Sequence, residues 1–252
     1  MRRPLAGLLA ITLWLAGCGS GPTGSNPVAN NPGTPPPPQP PPPPPPPTPP
    51  PTWNVDSLGI PRFVTIDYIE LAKIQQISKF RSSAGHDYSD DFESCRSMKH
   101  YYMPRDSAAA VAARIFSPVA GKVELLYPEW AGTQIRIRPT AYPAFTIVLF
   151  HVQLSPPLVS DQMLTAGQPL GTHIGPQTSS DVAVRVDTPT GQKLVSWFDT
   201  MTDAVFASYQ ARGMASRTEL IITRAARDAD PLTCVDGGFT GFGTLPQWVV
   251  LR

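Results

Sequence analysis

Proline occupies every position between Pro35 and Pro51 except Gln39 and Thr48. A run of this kind supplies almost no backbone N–H groups for a helix or a sheet, and it favours the extended polyproline II conformation. The residues between it and position 18 are mostly glycine, serine, asparagine and proline, which cannot build a core. We therefore predict a proline-rich, disordered tether over residues 18–52. Residues 53–252, about 200 residues, then form one folded domain.

The first 17 residues have the pattern of a secretory signal peptide. Two arginines precede a short apolar run, which is too short to span a bilayer. The ending Leu15-Ala16-Gly17-Cys18 resembles the lipobox of bacterial lipoproteins. That resemblance implies lipidation of Cys18 and a membrane anchor. No aspartate follows Cys18, which favours the outer membrane, facing the periplasm, over the inner one. An ordinary signal peptide with an incidental cysteine is the alternative.

Charge and cysteine content narrow the functional class and the compartment. The chain has 20 Lys and Arg against 19 Asp and Glu, so no basic excess indicates a nucleic-acid partner. With Cys18 used by the anchor, Cys95 and Cys234 remain. In an exported protein such a pair is most simply a disulfide, and two free buried thiols are the competing interpretation.

Short β-branched segments alternate with turn signals through the middle of the domain. This spacing is typical of antiparallel β-structure. The pattern Asp67–Lys79 predicts a helix, and further short helices are expected near the C-terminus. We therefore predict a mainly β fold, an antiparallel sheet or sandwich with peripheral short helices. The expected strands are 114–116, 121–126, 134–138, 145–153, 168–174 and 182–186.

The chemistry-bearing residues concentrate between Ser83 and Tyr102. His86 and Asp90 stand four apart, and residues i and i+4 of an extended strand share one face. Imidazole and carboxylate are both ligands that zinc accepts. This pair is a candidate metal site, and hydrogen-bonded structural residues are the commoner alternative.

Three short motifs follow one another along the predicted strands: Ser117–Val123 (SPVAGKV), Thr146–Val152 (TIVLFHV) and Ala166–Thr172 (AGQPLGT). Their order and spacing resemble the β-core of the LytM/lysostaphin-like metallopeptidases, family M23, over roughly residues 85–186. The resemblance implies a LytM-like β-domain, zinc as cofactor and the peptide cross-links of peptidoglycan as substrate.

The resemblance also assigns roles to individual residues. It implies metal ligands at His86 and Asp90 and a catalytic histidine at His151. The family's His-x-His motif falls at Asp181-Val182-Ala183, so Asp181 takes the catalytic position and Ala183 replaces a ligand. A methyl group cannot bind a metal. His100 and His173 are the remaining candidates to complete a rearranged site.

Two functions are consistent with this pattern. The first is a cell-envelope lipoprotein whose degenerate LytM-like domain binds peptidoglycan, or a cell-wall enzyme, without catalysis of its own. The alternative is an active zinc metalloendopeptidase with His86, Asp90 and a third ligand from His151, His173 or Asp181. An envelope protein of unrelated function on a reused β-scaffold is the third interpretation.

Overall fold

The main feature of the fold is one large antiparallel sheet. The computed structural model describes residues 51–252, so the predicted signal peptide, Cys18 and nearly all of the tether lie outside the described residues. Eleven strands form the sheet, in the order β13-β1-β2-β9-β6-β5-β4-β7, with β10 beside β9 and β8 linking β6 to β3. A separate hairpin contains β11 and β12. The strands are β1 Ile74–Ser78, β2 His100–Pro104, β3 Arg114–Phe116, β4 Gly121–Pro128, β5 Thr133–Pro139, β6 Phe145–Leu154, β7 Met163–Leu164, β8 Pro169–His173, β9 Ser180–Thr188, β10 Gly191–Val195, β11 Thr233–Val235, β12 Gly238–Gly241 and β13 Trp248–Val250.

The helices of residues 51–252 are short, so the predicted mainly β class is confirmed. The longest is α4, with eight residues. Within residues 51–252, no helix has the length and apolar character needed to cross a membrane. The α-helices are α1 Val55–Leu58, α2 Ser107–Ala112, α3 Trp197–Thr200, α4 Asp203–Gln210 and α5 Arg224–Ala229, with 3-10 turns at Leu71–Lys73 and Arg217–Leu220.

The helix predicted over Asp67–Lys79 is wrong. Only a 3-10 turn forms there, and β1 follows it directly. Ile74 and Ile77 are fully buried, and β1 pairs with β13 on one side and β2 on the other. β13 comes from the far end of the chain, so a long-range pairing overrides a local helical pattern in a β-branched segment.

The sheet separates its side chains into two faces by strict alternation. One face packs into the main core, which includes Ile137, Leu149 and Val184. The opposite face carries a smaller apolar cluster, which includes Val148 and Ala183. Because successive side chains of a strand point to opposite faces, the residues between the core positions are all displayed on the second face. That second face carries the groove described below.

A long loop between β1 and β2 covers part of the second face and is anchored at several points. Cys95 forms a disulfide with Cys234 of β11, which confirms the predicted pairing. Glu93 accepts from both Arg81 and Arg96, each at 2.7 Å. The disulfide holds the loop against the C-terminal part of the domain, and the Glu93 pairs link the loop within itself.

We expect removal of the disulfide to destabilise the domain by about 2–4 kcal/mol, because it closes a loop of 139 residues in the unfolded chain. The test is urea denaturation of a Cys95→Ala/Cys234→Ala variant beside the oxidised wild type. Reduced wild type serves as the control for the substitutions themselves. Equal unfolding midpoints for oxidised and reduced protein would contradict the expectation.

Candidate functional site

A groove of about 430 Å3 opens on the second face of the sheet, between the β1–β2 loop and the β4–β5 turn. Its lining is rich in aromatic side chains and contains both charge signs. The lining residues are Gly85, His86, Tyr88, Lys99, Tyr101, Glu129, Trp130, Gln134, Phe150, His151 and Thr178.

Alternation along β2 and β9 brings a lysine and an aspartate together at the floor of this groove. Tyr101 lies directly opposite Asp181 in the β2–β9 pairing, and Lys99 precedes Tyr101 by two residues on the same face. The Lys99 ammonium contacts Asp181 Oδ2, and the two side chains are only 2% and 0% exposed. This pair is therefore a buried salt bridge.

Aromatic rings surround the Lys99 ammonium on its other sides. Nζ lies 4.2 Å from the ring centre of Phe150, 4.9 Å from that of Tyr101 and 5.1 Å from that of Tyr88. These distances are in the range of cation–π attraction. Burial by itself lowers the pKa of Lys99, but Asp181 and Tyr101 together outweigh burial, so the net pKa is raised. The groove floor thus holds a permanent ammonium.

A β-bulge in β6 turns His151 toward the groove. Thr133 pairs with Val152 and Ile135 with Leu149, so β6 contains one more residue than β5 between these two pairs. His151 takes up the extra residue with φ of 60°, a left-handed value that is uncommon outside glycine. As a result Phe150 and His151 both line the groove, although they are adjacent in sequence.

The His151 imidazole links two carboxylates. Its Nδ1 donates to the carbonyl oxygen of Ala131 at 2.9 Å and lies 3.3 Å from Glu129 Oε2. Its Nε2 lies 3.5 Å from Asp181 Oδ1. The structure therefore brings together His151 and Asp181, the two residues for which the family resemblance implied catalytic roles. Glu129, His151, Asp181 and Lys99 form one continuous polar row.

The β4–β5 turn presents an exposed indole at the rim of the groove. Trp130 is 78% exposed and its ring lies 5.9 Å from that of His151. The turn is closed by a hydrogen bond from Glu129 N to Gly132 O of 2.9 Å. Gly132 has φ of 79°, and a Cβ there would lie 2.9 Å from the Val152 carbonyl oxygen, so the close approach requires glycine.

The structure does not bring His86 and Asp90 together. His86 lines the groove and is exposed, and its Nδ1 donates to the carbonyl oxygen of Asp87 at 2.8 Å. Asp90 lines a separate depression. Its carboxylate accepts from three backbone N–H groups, those of Phe92 and Glu93 at 2.9 Å and that of Leu194 at 2.8 Å. Asp90 therefore serves as a loop anchor, because its carboxylate caps backbone donors.

The other two candidate histidines are buried. His100 points to the core side of β2, where Nδ1 bonds the Ser78 carbonyl at 2.8 Å and Nε2 bonds Ser196 Oγ at 3.0 Å. Burial lowers the pKa of His100 to about 4, with the Ser78 carbonyl acting against it. His173 is 1% exposed, and burial lowers its pKa as well. Neither lines the groove.

The donor set of the groove does not fit the zinc that the family resemblance implies. A catalytic zinc needs three protein ligands and one open position. The described residues contain no group of three or more His, Cys, Asp or Glu side chains placed to hold a metal ion. Asp181 is already neutralised by the Lys99 ammonium, and a dication placed beside it would be repelled by that charge.

Sequence reasoning missed most of the groove. Lys99 lies 30 residues before the adjacent pair Glu129 and Trp130, and the three match no spacing rule. Lys99 is adjacent to His100, so alternation along β2 alone indicates that the two face opposite sides. It does not indicate which side carries the groove.

No family model matches the chain, and no curated protein matches it. Among solved structures, the chain is similar to "NMR solution structure of lysostaphin", with 11% sequence identity and a TM-score of 0.31. The match covers 58% of this chain and 61% of the lysostaphin chain, so less than two thirds of that protein's length is spanned.

Proposed function

We propose that residues 53–252 form a non-catalytic binding domain of the bacterial cell envelope, which binds peptidoglycan in the groove on the second face of the sheet. The observation that carries the proposal is the Lys99–Asp181 salt bridge at the floor of an aromatic-lined groove. The Lys99 ammonium neutralises Asp181, whereas a metallohydrolase would need a metal ion with an ionised water bound to such a carboxylate.

The form of the groove supports binding of an extended ligand. Ligand sites are typically concave and apolar, with a few placed polar groups that fix orientation. Here Trp130, Tyr88 and Phe150 supply the apolar surface, while Glu129 and Gln134 supply hydrogen-bonding groups. An exposed indole beside such a groove offers a large contact area with little loss of side-chain entropy on binding.

The three motifs that resemble family M23 support peptidoglycan as the ligand, because that resemblance implies a wall-peptide groove at this place on the sheet. The N-terminal lipobox and the proline-rich tether support an envelope location. In this proposal Cys18 is lipidated, the outer membrane holds the anchor, and residues 19–52 let the domain reach the wall. A cell-wall enzyme as partner is the other binding function that the sequence allows.

Trp130→Ala is expected to weaken binding to purified, insoluble peptidoglycan at least tenfold, because the indole provides the largest exposed apolar contact at the groove. Trp130 is 78% exposed, so its removal leaves the unfolding midpoint nearly unchanged. The measurement is co-sedimentation of the domain, residues 53–252, with peptidoglycan over a range of concentrations.

Tyr127→Ala is the matched control, since Tyr127 is also an exposed aromatic of the β4–β5 hairpin, at 57%, but does not line the groove. The control should bind like the wild type. If the wild-type domain fails to sediment with peptidoglycan, the proposed ligand is wrong. If both variants bind normally, the groove is not the binding site.

A further inference from the structure

Among residues 51–252, two arginines on the second face of the sheet make no salt bridge with a carboxylate. Arg136 of β5 and Arg185 of β9 flank β6, where Arg136 pairs with Val148 and Arg185 with Thr146. Alternation places both on the same face as Gln134 and Phe150 of the groove. Two strand spacings and an offset of two residues along β6 separate their backbones, which together amount to about 12 Å.

Both guanidinium groups are held in position by neutral amide oxygens. Arg136 Nε donates to Gln134 Oε1 at 3.0 Å, and Arg185 Nε donates to Gln192 Oε1 at 2.6 Å. Within residues 51–252, neither makes a salt bridge. Arg138, on the same face, differs because it contacts the carboxylates of both Glu124 and Asp187.

This arrangement leaves positive charge that is oriented but uncompensated. A guanidinium has five N–H donors in a planar fork, and the amide contacts occupy only part of them. Arg136 is bonded through Nε alone, so both of its terminal nitrogens stay available to a planar oxyanion. Because each glutamine amide already orders its arginine side chain, less side-chain entropy is lost when an oxyanion binds.

Tyr88 packs on the same face of the sheet as the two arginines, at the groove. Its ring packs edge-on against Phe150 at 5.7 Å, and its side chain lines the groove. Burial raises the pKa of Tyr88, while the positive charges of Arg185, Lys99 and Arg136 act in the opposite direction. The Tyr88 hydroxyl is a further hydrogen-bond donor on this face of the sheet.

We propose that Arg136 and Arg185 form an oxyanion-binding site beside the groove, which takes the carboxylate or phosphate group of a bound wall polymer. Guanidinium groups bind both oxyanions through paired N–H donors. The proposal rests on the proposed function for the source of the ligand. The free carboxylate of a wall peptide and the phosphodiester of an attached polymer share this chemistry.

The test uses the domain, residues 53–252, as wild type and as an Arg136→Gln/Arg185→Gln double variant. Titration calorimetry is performed with three soluble probes: a wall pentapeptide with a free terminal carboxylate, the same peptide as its terminal carboxamide, and glycerol phosphate. We expect the wild type to bind at least one oxyanion probe, and the double variant to lose at least tenfold in affinity. Binding of the carboxylate peptide identifies a peptide source, and binding of glycerol phosphate, a phosphomonoester, identifies a phosphate source.

Arg105→Gln is the matched control, because Arg105 is an exposed arginine outside the groove lining. Its affinity should stay within twofold of the wild type. Thermal unfolding of the double variant checks that it folds. Three results would contradict the oxyanion site. The first is that neither oxyanion probe binds, and the second is that the double variant keeps full affinity. The third is that the carboxylate and carboxamide peptides bind equally while glycerol phosphate does not bind.

The calorimetry with oxyanion probes and the sedimentation with peptidoglycan can fail independently of each other. If sedimentation with peptidoglycan depends on Trp130 but not on the two arginines, the groove is supported as the binding site and the oxyanion site is excluded. If an oxyanion probe binds but peptidoglycan does not, the oxyanion site is supported and peptidoglycan is excluded as the ligand.

Discussion

Lys99→Met is expected to lower the free energy of unfolding by about 3–5 kcal/mol, because it leaves the Asp181 carboxylate buried without its counter-charge. Asp181 is 0% exposed, so water cannot replace the ammonium in the folded state. Methionine keeps the length and apolar stem of the side chain, which limits the loss of packing. Urea denaturation at neutral pH measures the effect.

A second substitution separates charge from packing. Lys99→Met/Asp181→Leu removes both charges, and we expect it to recover most of the lost stability. Lys122→Met is the matched control at an exposed pair, since Lys122 and Asp161 are 47% and 79% exposed, and it should cost less than about 1 kcal/mol. If Lys99→Met were as stable as the wild type, Lys99 and Asp181 would not form a buried salt bridge. The Lys99 charge would then not exclude a metal ion from Asp181.

Asp67→Asn is expected to flatten the pH dependence of stability between about pH 4 and pH 7. Burial raises the pKa of Asp67 from 3.8 to about 7, although the Tyr209 hydroxyl and the N–H groups of Ile69 and Tyr68 act in the opposite direction. In this window the folded state binds more protons than the unfolded state. Stability from Asp67 is therefore fully present below pH 3.8 and is lost as pH rises through about 7.

At 1.36 kcal/mol for each pKa unit, the full effect is on the order of 4 kcal/mol for this buried carboxyl group. The measurement is urea unfolding of wild type and Asp67→Asn at several pH values from 4 to 8. The variant should gain most over the wild type at pH 8. Asp161→Asn is the control, because Asp161 is exposed and its φ of 65° is one that asparagine tolerates. Parallel pH profiles for wild type and Asp67→Asn would contradict the expectation.

The strands of the central sheet were predictable because their signal is local. The predicted segments 134–138 and 145–153 correspond to β5 and β6, where core side chains recur at every second position or continuously. The disulfide was predictable because compartment and cysteine count left only one simple pairing. β1 was not, since its partner strand β13 lies more than 150 residues away.

The groove was only partly predictable. His151 and Asp181 were identified from motif positions, and the structure brings them within 3.5 Å of each other. His86 and Asp90 were paired on the assumption of an extended strand, but the segment between them is a loop anchored by Asp90 itself. In a loop, the four-residue spacing no longer places two side chains on one face.

The sequence by itself determined the antiparallel β class, because alternation acts through neighbours along the chain. It favoured the cysteine pairing, because three cysteines leave few alternatives, and the structure then decided it. Only the tertiary structure decided that Lys99 would neutralise Asp181, that a bulge would turn His151 into the groove, and that Trp130 would stand at its rim. Those three outcomes depend on which strands become neighbours and on where one strand contains an extra residue. Both are set by long-range packing of the whole sheet.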